Sequence, residues 1–345
     1  MCRAKSSRGS AFAASSQLSM LYSTLRPLFF TLDPEHAHRL ALEAARLSSG
    51  LPGRRIAGSP VELMGLTFPN RLGLAAGFDK SAEAVDGLGR LGFGFIEVGT
   101  VTPRAQGGQP RPRLFRHASA NALVNRLGFP NEGAAAVAKR LRRRHYRGVL
   151  GVNIGKNADT PLDRALDDYV ACLRALHSVA DYVAVNISSP NTAALRDLQA
   201  PERLEPLLRG LLRERARLLR GGTRRLPLLL KVSPDLDRAA LAGVAQVVTR
   251  VKIDGLIATN TTVQRSAAFE QTGGLSGAPL HALALETVAA LRELVGPGLP
   301  IVGVGGVDSV AKALAMRAAG ADLVQIYTGL VYRGPALVKR LVRAL

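Results

Sequence analysis

From residue 70 onward, short apolar runs alternate with longer segments in which apolar residues recur every three or four positions. Each run is almost continuously apolar, as is typical of parallel strands that are covered by helices. Eight such runs occur in chain order: Arg71–Ala75, Phe93–Val98, Val149–Ile154, Tyr182–Ile187, Leu226–Val232, Gly255–Thr259, Pro300–Val304 and Leu323–Tyr327. Between them, amphipathic helices are predicted over Pro161–Ser178, Leu236–Arg250 and Leu280–Leu294, among others.

Eight alternations of strand and helix predict an α/β protein with a closed (β/α)8 TIM barrel. An open, doubly wound sheet is the alternative. In such barrels the reactive groups lie where the strands end and the following loops begin. Almost every residue at these positions is small, polar or cationic: Ala76–Lys80, Thr100, Asn153, Asn186–Asn191, Lys231, Thr259–Thr261, Gly305–Gly306 and Tyr327–Thr328.

The region before the barrel predicts a small N-terminal helical extension. Residues 20–49 have the pattern of two short amphipathic helices, the second over Pro34–Leu47. Basic residues among apolar ones suit a helix that lies on a bilayer surface, but packing against the barrel would give the same pattern. Residues 1–19 contain basic residues and no acid. They are interpreted as a transit peptide, a disordered extension, or a start codon placed too early, with Met20 as the true start.

The 345-residue chain has a formal charge of +20, from 46 Lys and Arg residues against 26 Asp and Glu residues. Such a charge suits a nucleic acid or an anionic membrane, but an Arg-rich genome explains it as well. The two cysteines, Cys2 and Cys172, cannot build a disulfide framework or a zinc site and indicate a reducing compartment. No apolar run is long enough for a transmembrane helix.

Glycine-rich turns follow the last two predicted strands. Gly303–Gly306 and Tyr327–Gly329 would place backbone N–H groups near one another, at the corner where barrels often bind phosphate. An ordinary turn is the alternative. Lys231 ends an apolar run, and a buried ammonium is costly without an anion. A Schiff base, a reduced flavin and a structural salt bridge would each explain it.

Other candidate groups are polar and would converge at one barrel mouth. Lys80 could bind a carboxylate, although a surface Lys is the alternative. Ser188 and Ser189 follow the fourth strand without an evident His–Asp pair, so a hydrolase triad is not supported and a proton-accepting Ser is considered. Amides at loop starts would suit a planar heterocycle, or would only shape turns: Asn125, Asn153, Asn186, Asn191 and Asn260.

Taken in order, these motifs resemble the class 2, quinone-linked dihydroorotate dehydrogenases of pyrimidine synthesis, in their bacterial form. The resemblance extends from about Met20 to Leu345. Besides the two glycine-rich turns, it rests on Leu74–Lys80, Glu97–Pro103, Asn125–Phe129, Gly151–Lys156, Asn186–Asn191, Ala258–Thr262 and Thr272–Gly277. Phe78 stands where some relatives have Leu, a conservative change.

The resemblance implies a role for each matching residue. Ser189 would be the base that takes the C5 proton of dihydroorotate, while the C6 hydride goes to FMN. The substrate would be bound by Lys80, Asn125, Arg126, Leu127, Gly128, Phe129, Asn186, Asn191, Asn260 and Thr261. FMN would be bound by Ala76, Gly77, Phe78, Asp79, Lys80, Thr100, Asn153, Asn186, Lys231, Thr259, Gly277, Gly306, Tyr327 and Thr328, with Lys231 offsetting charge on the reduced ring. No metal site is expected.

Ser189 decides the class, because the soluble class 1 enzymes carry Cys at this position. The resemblance therefore implies three regions: a disordered extension (1–19), a helical membrane and quinone entrance (20–55) and an FMN-binding barrel (56–345). It also implies a monomer on the cytoplasmic side of the cell membrane, in contact with lipid but not with nucleic acid. Two rival hypotheses are another FMN barrel, such as a tRNA dihydrouridine synthase, and a non-catalytic membrane or nucleic-acid binding module.

Overall fold

The computed structural model describes residues 22, 24–50, 58–220, 222 and 224–345. The predicted extension 1–19 therefore lies outside the described residues. In chain order the elements are α1 (24–31), α2 (Pro34–Leu47), β1 (Val61–Leu63), β2 (Leu66–Phe68), β3 (Leu72–Leu74), α3 (Val85–Gly89), β4 (Phe95–Val101), β5 (Leu114–His117), β6 (Ala122–Asn125), α4 (Ala134–Leu141), β7 (Val149–Ile154), α5 (Ala165–Leu176), β8 (Tyr182–Asn186), α6 (Pro201–Leu218), β9 (Leu228–Val232), α7 (Arg238–Val251), β10 (Gly255–Ala258), β11 (Gly274–Gly277), α8 (His281–Val295), β12 (Ile301–Val304), α9 (Val310–Ala318), β13 (Leu323–Ile326), α10 (Thr328–Arg333) and α11 (Pro335–Ala344).

Eight parallel strands close into a barrel in the order β3, β4, β7, β8, β9, β10, β12 and β13, with β13 paired to β3. The prediction of a (β/α)8 barrel is confirmed, and the open sheet was the wrong alternative. The strand bounds differ from the predicted ones by a few residues at most. The largest change is in β4, which continues to Val101 through an irregularity in register after Val98. Thr100 therefore lies within the strand and not after it.

The predicted helices form where local signals supported them. Asp237 caps α7, since its carboxylate accepts a hydrogen bond from Ala240 N at 2.8 Å. Ser309 caps α9 in the same manner through Lys312 N. The helix predicted over Pro161–Ser178 is shorter, because residues 162–164 form a 3-10 turn before α5 begins.

The core of the barrel is aromatic and aliphatic at the end where the strands begin. Phe68, Phe95 and Tyr182 are almost fully buried there and pack with apolar residues from the other strands. The hairpin of β1 and β2 packs against this cluster and covers that end of the barrel. Gly73 is required beside it, because a Cβ at this position would lie 2.3 Å from the Phe95 ring. The polar residues that follow the strands lie at the opposite end of the barrel.

A three-stranded antiparallel sheet, in the order β11, β6, β5, was not predicted. Asn125 of β6 pairs with Leu114 on one side and Gly274 on the other. These strands are only four residues long, and β11 begins far along the chain from β6. Their sequences carry no strand-like alternation that could have identified them.

The N-terminal helices pack on the outside of the barrel. Tyr22 donates a hydrogen bond to Val331 O at 2.6 Å, and Phe30 meets the Tyr332 ring edge-on with centroids 5.4 Å apart. Helix α2 has the predicted bounds Pro34–Leu47 and is capped by Asp33. Within the described residues, no helix combines the length and apolarity needed to cross a membrane.

Candidate functional site

A cavity of about 1020 Å³, a volume that includes its open mouth, lies where the barrel strands end. The antiparallel sheet forms part of its wall through Leu114, Leu123 and Ser276. The cavity brings together most of the predicted site residues: Ala76, Gly77, Lys80, Thr100, Asn125, Leu127, Gly128, Phe129, Asn186, Ser189, Asn191, Lys231, Thr259, Asn260, Thr261, Gly277, Gly306, Tyr327 and Thr328.

Four predicted residues do not line this cavity. Asp79 uses its carboxylate to accept hydrogen bonds from Glu83 N and Ala84 N, both at 2.8 Å. Phe78 packs between the Tyr327 and His38 rings. Arg126 points outward.

The guanidinium of Arg126 lies over the Phe115 ring, 5.3 Å from its centroid, and donates to Pro112 O. The Arg126 side chain therefore does not line the cavity that holds the other predicted substrate residues. Asn153, the fourth residue, is fully buried beneath the cavity floor.

The floor is built on a buried carboxylate that the sequence analysis missed. Glu97 is fully buried and accepts hydrogen bonds from Asn153 Nδ2 at 2.9 Å, Tyr182 OH at 2.8 Å and Gln325 Nε2 at 2.9 Å. Lys231 Nζ lies 4.0 Å from Glu97 Oε1. The signal was present in the sequence, because Glu97 is the charged residue inside an otherwise apolar strand.

Two polar groups in this floor, the Lys231 ammonium and Gln325 Oε1, are not fully satisfied by contacts with the described residues. Burial lowers the pKa of the Lys231 ammonium, and Glu97 opposes that effect only from 4.0 Å. Gln325 Oε1 is buried without a hydrogen-bond partner in the described part of the chain, although its residue lines the cavity. A buried acceptor without a partner costs about 1–3 kcal/mol, so this atom indicates a missing donor in the cavity.

A chain of amides and hydroxyls crosses the cavity wall. Thr100 Oγ1 donates to Asn153 Oδ1 at 2.6 Å and accepts from Asn186 Nδ2 at 2.8 Å. Asn260 Nδ2 then donates to Asn186 Oδ1 at 3.2 Å and to Ser188 Oγ at 3.0 Å. These contacts fix the side chains in one orientation before any ligand binds.

Ser189 lies at one side of this wall and is 5 % exposed. Its Oγ accepts a hydrogen bond from Asn191 N at 3.2 Å, while Asn191 Nδ2 donates to Asn125 Oδ1 at 3.0 Å. The hydrogen bonds of the Ser188 and Ser189 hydroxyls within the described residues involve asparagines and no histidine. A hydrolase triad is therefore not assembled here.

Lys80 provides the second cation of the cavity. Its Nζ donates to Gly77 O at 2.6 Å, which leaves two donors for a ligand. Burial lowers the pKa of Lys80 to about 8, and Glu35 opposes this shift. Lys80 therefore lines the cavity and is not an ordinary surface Lys, and with a pKa of about 8 it is mostly in the ammonium form at neutral pH.

Three glycines meet at the corner after β12 and β13: Gly277 at the end of β11, Gly306 in the loop after β12, and Gly329 in α10. A Cβ at Gly306, whose φ is +63°, would lie 2.7 Å from Gly277 O. A Cβ at Gly329 would lie 2.2 Å from Val307 O. Beside them, Ser276 Oγ and Thr328 Oγ1 are 2.8 Å apart. A side chain at either glycine would meet the backbone, so the corner brings backbone and small hydroxyls close to the cavity, as phosphate binding requires.

A second cavity of about 1280 Å³, again including open space, lies between the N-terminal helices and the barrel. Its wall is mostly apolar and includes Ala41 and Ala44 of α2 and Leu330 of α10. It shares Leu114, Leu123 and Tyr327 with the first cavity, so these side chains form part of the wall between the two.

His38 lines the second cavity beside Tyr327, a residue that lines both cavities. Its Nε2 is 2.7 Å from Phe78 O, and its ring is parallel to Tyr327 with centroids 6.5 Å apart. Burial lowers the pKa of His38 to about 4, so the imidazole is neutral at physiological pH. In the described residues there is no group of three or more His, Cys, Asp or Glu side chains that could hold a metal ion.

Comparisons of the chain with a family model, with curated proteins and with solved structures all find dihydroorotate dehydrogenases. The dihydroorotate dehydrogenase family model matches residues 59–345. The chain is 51 % identical to the dihydroorotate dehydrogenase (quinone) of Aromatoleum aromaticum, over 94 % of this chain and 95 % of the relative. It is also 51 % identical to the protein of the same name from Alkalilimnicola ehrlichii, over 94 % and 98 %. The crystal structure of DHODH from Eimeria tenella in complex with ferulenol superposes with a TM-score of 0.84 and 37 % identity, over 90 % of each chain.

Proposed function

Because the chain belongs to the dihydroorotate dehydrogenase family, we propose that it oxidises dihydroorotate to orotate and passes the electrons through a flavin to a membrane quinone. The observation that carries this proposal is the first cavity. One end of the barrel holds two ammonium groups, a row of amides and Ser189 around a space that a flat ring system can enter. The step belongs to the synthesis of pyrimidine nucleotides.

FMN is the flavin that these residues fit. The glycine corner would hold its phosphate, since it offers backbone N–H groups and the hydroxyls of Ser276 and Thr328. Gln325 Oε1 lacks a donor, which a ring N–H would supply. Lys231 would stabilise negative charge on the ring. When bound, FMN supplies a hydride acceptor and a route for two electrons to the quinone.

The residues of this chain would bind the substrate as an anion with a planar ring. Within the described residues, Lys80 Nζ donates one hydrogen bond, to Gly77 O, and its other two donors can bind the carboxylate. Asn125, Asn191 and Asn260 present amides on the same wall, where they can bond to ring N–H and C=O groups. Because the amides already bond to one another, little side-chain entropy is lost when the ring binds.

Ser189 is proposed to accept the proton from C5 on its Oγ as its own hydroxyl proton passes to a water in the cavity, while the hydride from C6 goes to the flavin. The Oγ already accepts a hydrogen bond from Asn191 N, and this dipole would stabilise negative charge that develops on the oxygen. At 5 % exposure, Ser189 has little access to bulk water that could compete for the proton. These residue roles support the assignment to the quinone-linked class.

The second cavity is proposed as the entrance for the quinone. It is apolar, lies beside the first cavity, and opens between helices that expose large apolar side chains. These exposed side chains are Leu25, Leu28, Phe29, Leu32, Leu40 and Leu47. An amphipathic pair of this kind buries such residues in the boundary of a bilayer. We therefore propose peripheral attachment to the cytoplasmic side of the cell membrane.

The proposal is tested on the purified holoprotein under anaerobic conditions. It should be yellow, contain FMN, and lose its flavin absorbance when dihydroorotate is added. A short-chain ubiquinone analogue should then restore the absorbance. A preparation that takes up no FMN would overturn the assignment, and so would a flavin reduced by NADPH but not by dihydroorotate.

A further inference from the structure

The loop that carries Ser189 and the loop that carries Asn260 and Thr261 are joined by an arginine outside the cavity. We infer that Arg196, held by Asp235, is a positioning residue that sets where Ser189 Oγ lies relative to the bound substrate. This inference rests on the proposed function. Neither residue lines the cavity, so both would act through the loops they hold.

Arg196 uses all three nitrogens of its guanidinium. Its Nε donates to Ser188 O at 3.2 Å, and one terminal nitrogen donates to Thr261 O at 3.1 Å. The other terminal nitrogen donates to Asp235 Oδ2 at 2.8 Å. One planar group thus connects the loops that follow β8, β9 and β10.

Asp235 completes the connection from the third loop. Besides Arg196, its carboxylate accepts hydrogen bonds from Val263 N at 3.0 Å and from the Thr262 hydroxyl. Its own backbone N donates to Ser233 Oγ at 3.1 Å. The side chain is 11 % exposed, so the ion pair is poorly screened by solvent.

The loop that carries Ser189 and the loop that carries Asn260 also contact each other directly. Asn260 Nδ2 donates to Ser188 Oγ at 3.0 Å. A Cβ at Gly274 would lie 2.0 Å from Thr261 Oγ1 and 3.1 Å from Pro190 Cγ, so this region has no spare volume. A shift of the peptide at Ser188 would therefore displace Ser189 and the amide of Asn260 together.

Arginine is needed for this geometry because its guanidinium is a rigid fork with donors in several directions. A lysine at the same position would keep the charge opposite Asp235. Its single ammonium could not reach Ser188 O and Thr261 O in the same plane. Loss of function in a lysine variant would thus separate positioning from simple charge.

The test follows flavin reduction in the holoenzyme by anaerobic stopped flow over a range of dihydroorotate concentrations. Arg196→Ala and Arg196→Lys should each lower the limiting rate constant by about 10- to 100-fold, because a misplacement of about 1 Å costs this much. FMN content and reoxidation by the quinone analogue should be unchanged. Asp235→Asn, which keeps the shape and removes the charge, should show a smaller loss in the same direction. If the Arg196 variants do not fold, the rate of flavin reduction in Asp235→Asn tests the inference instead.

A double variant distinguishes positioning from general damage. In a Ser189→Ala background there is no Oγ to position, so Arg196→Ala should change the limiting rate constant by less than about twofold. The weaker dihydroorotate affinity expected when the Asn260 amide is displaced should persist in both backgrounds. Arg174→Ala is the matched control, because Arg174 is 57 % exposed in an ion pair with Glu214 on the outer helices. It should leave both constants unchanged.

The inference is overturned if the Arg196 and Asp235 variants reduce the flavin at the wild-type rate, or if the loss is equally large with and without Ser189. Equal losses in Arg196→Ala and Arg174→Ala would overturn it as well. Failure of the proposed function is a different result, because dihydroorotate would then not reduce the flavin of the wild-type protein.

Discussion

The pKa of Lys80 predicts how the affinity for orotate depends on pH. Burial lowers this pKa to about 8, compared with an ordinary value of 10.5. An ammonium that binds a carboxylate favours the protonated form, so binding raises the pKa of Lys80 in the complex. The affinity is therefore fully present below the pKa of the free enzyme and is lost as the pH rises through it.

The magnitude follows from the titration of a single group. With a pKa of about 8, Lys80 is roughly nine-tenths protonated at pH 7 and roughly one-tenth protonated at pH 9. The orotate affinity should consequently fall about tenfold between these pH values, or about 1.4 kcal/mol. A group with the ordinary Lys pKa would give almost no change over this range.

The assay is a titration of the oxidised holoenzyme with orotate, followed by the flavin absorbance at pH values from about 6.5 to 9.5. Lys80→Met is titrated in parallel, after its flavin content has been checked. Loss of a charge-assisted hydrogen bond should weaken its affinity by about 10- to 100-fold at pH 7. Any ionisation of orotate affects both proteins, so the ratio of their affinities isolates Lys80. A ratio that does not change with pH would refute the reasoning.

Three further predictions concern the proton acceptor, the phosphate corner and the quinone entrance. Ser189→Ala should slow flavin reduction by about 10²- to 10⁴-fold in stopped flow, with orotate affinity retained; reduction at the normal rate would contradict its role as base. Gly306→Ala should lower FMN affinity in equilibrium dialysis at least tenfold, because the new Cβ would lie 2.7 Å from Gly277 O; full flavin occupancy would contradict it. Ala41→Phe with Ala44→Phe should raise the KM for the quinone and spare flavin reduction, whereas an unchanged KM would place the entrance elsewhere.

The candidate site depends on contacts that no local pattern contains. Glu97 receives a hydrogen bond from Gln325, which is 228 positions away in the chain, and from Tyr182, which is 85 positions away. The floor beneath the proposed flavin was therefore missed, although each residue stands in a strand that was correctly predicted. Strand periodicity shows which residues are buried, but not which of them meet across a closed barrel.

The side chains of two predicted site residues, Asp79 and Arg126, make contacts outside the cavity. Asp79 lies in a motif that resembles a cofactor loop, yet its carboxylate is satisfied by the N–H groups of Glu83 and Ala84. Arg126 follows Asn125 directly in the sequence, but its side chain leaves the cavity and covers Phe115. Asn125 ends β6 and Arg126 follows it, so the unpredicted sheet fixes Asn125 in the cavity wall while Arg126 lies outside it.

The sequence alone determined the barrel and the identity of its reactive end. Eight apolar runs separated by helices predicted a closed barrel ahead of an open sheet, and in a barrel the polar residues that follow those runs gather at the same rim. Tertiary structure decided what lies below and beside that rim: the carboxylate under Lys231, the sheet that carries Asn125, and the apolar space under α2. Those features depend on pairings between distant segments, and the energy of such pairings is absent from any single window of the chain.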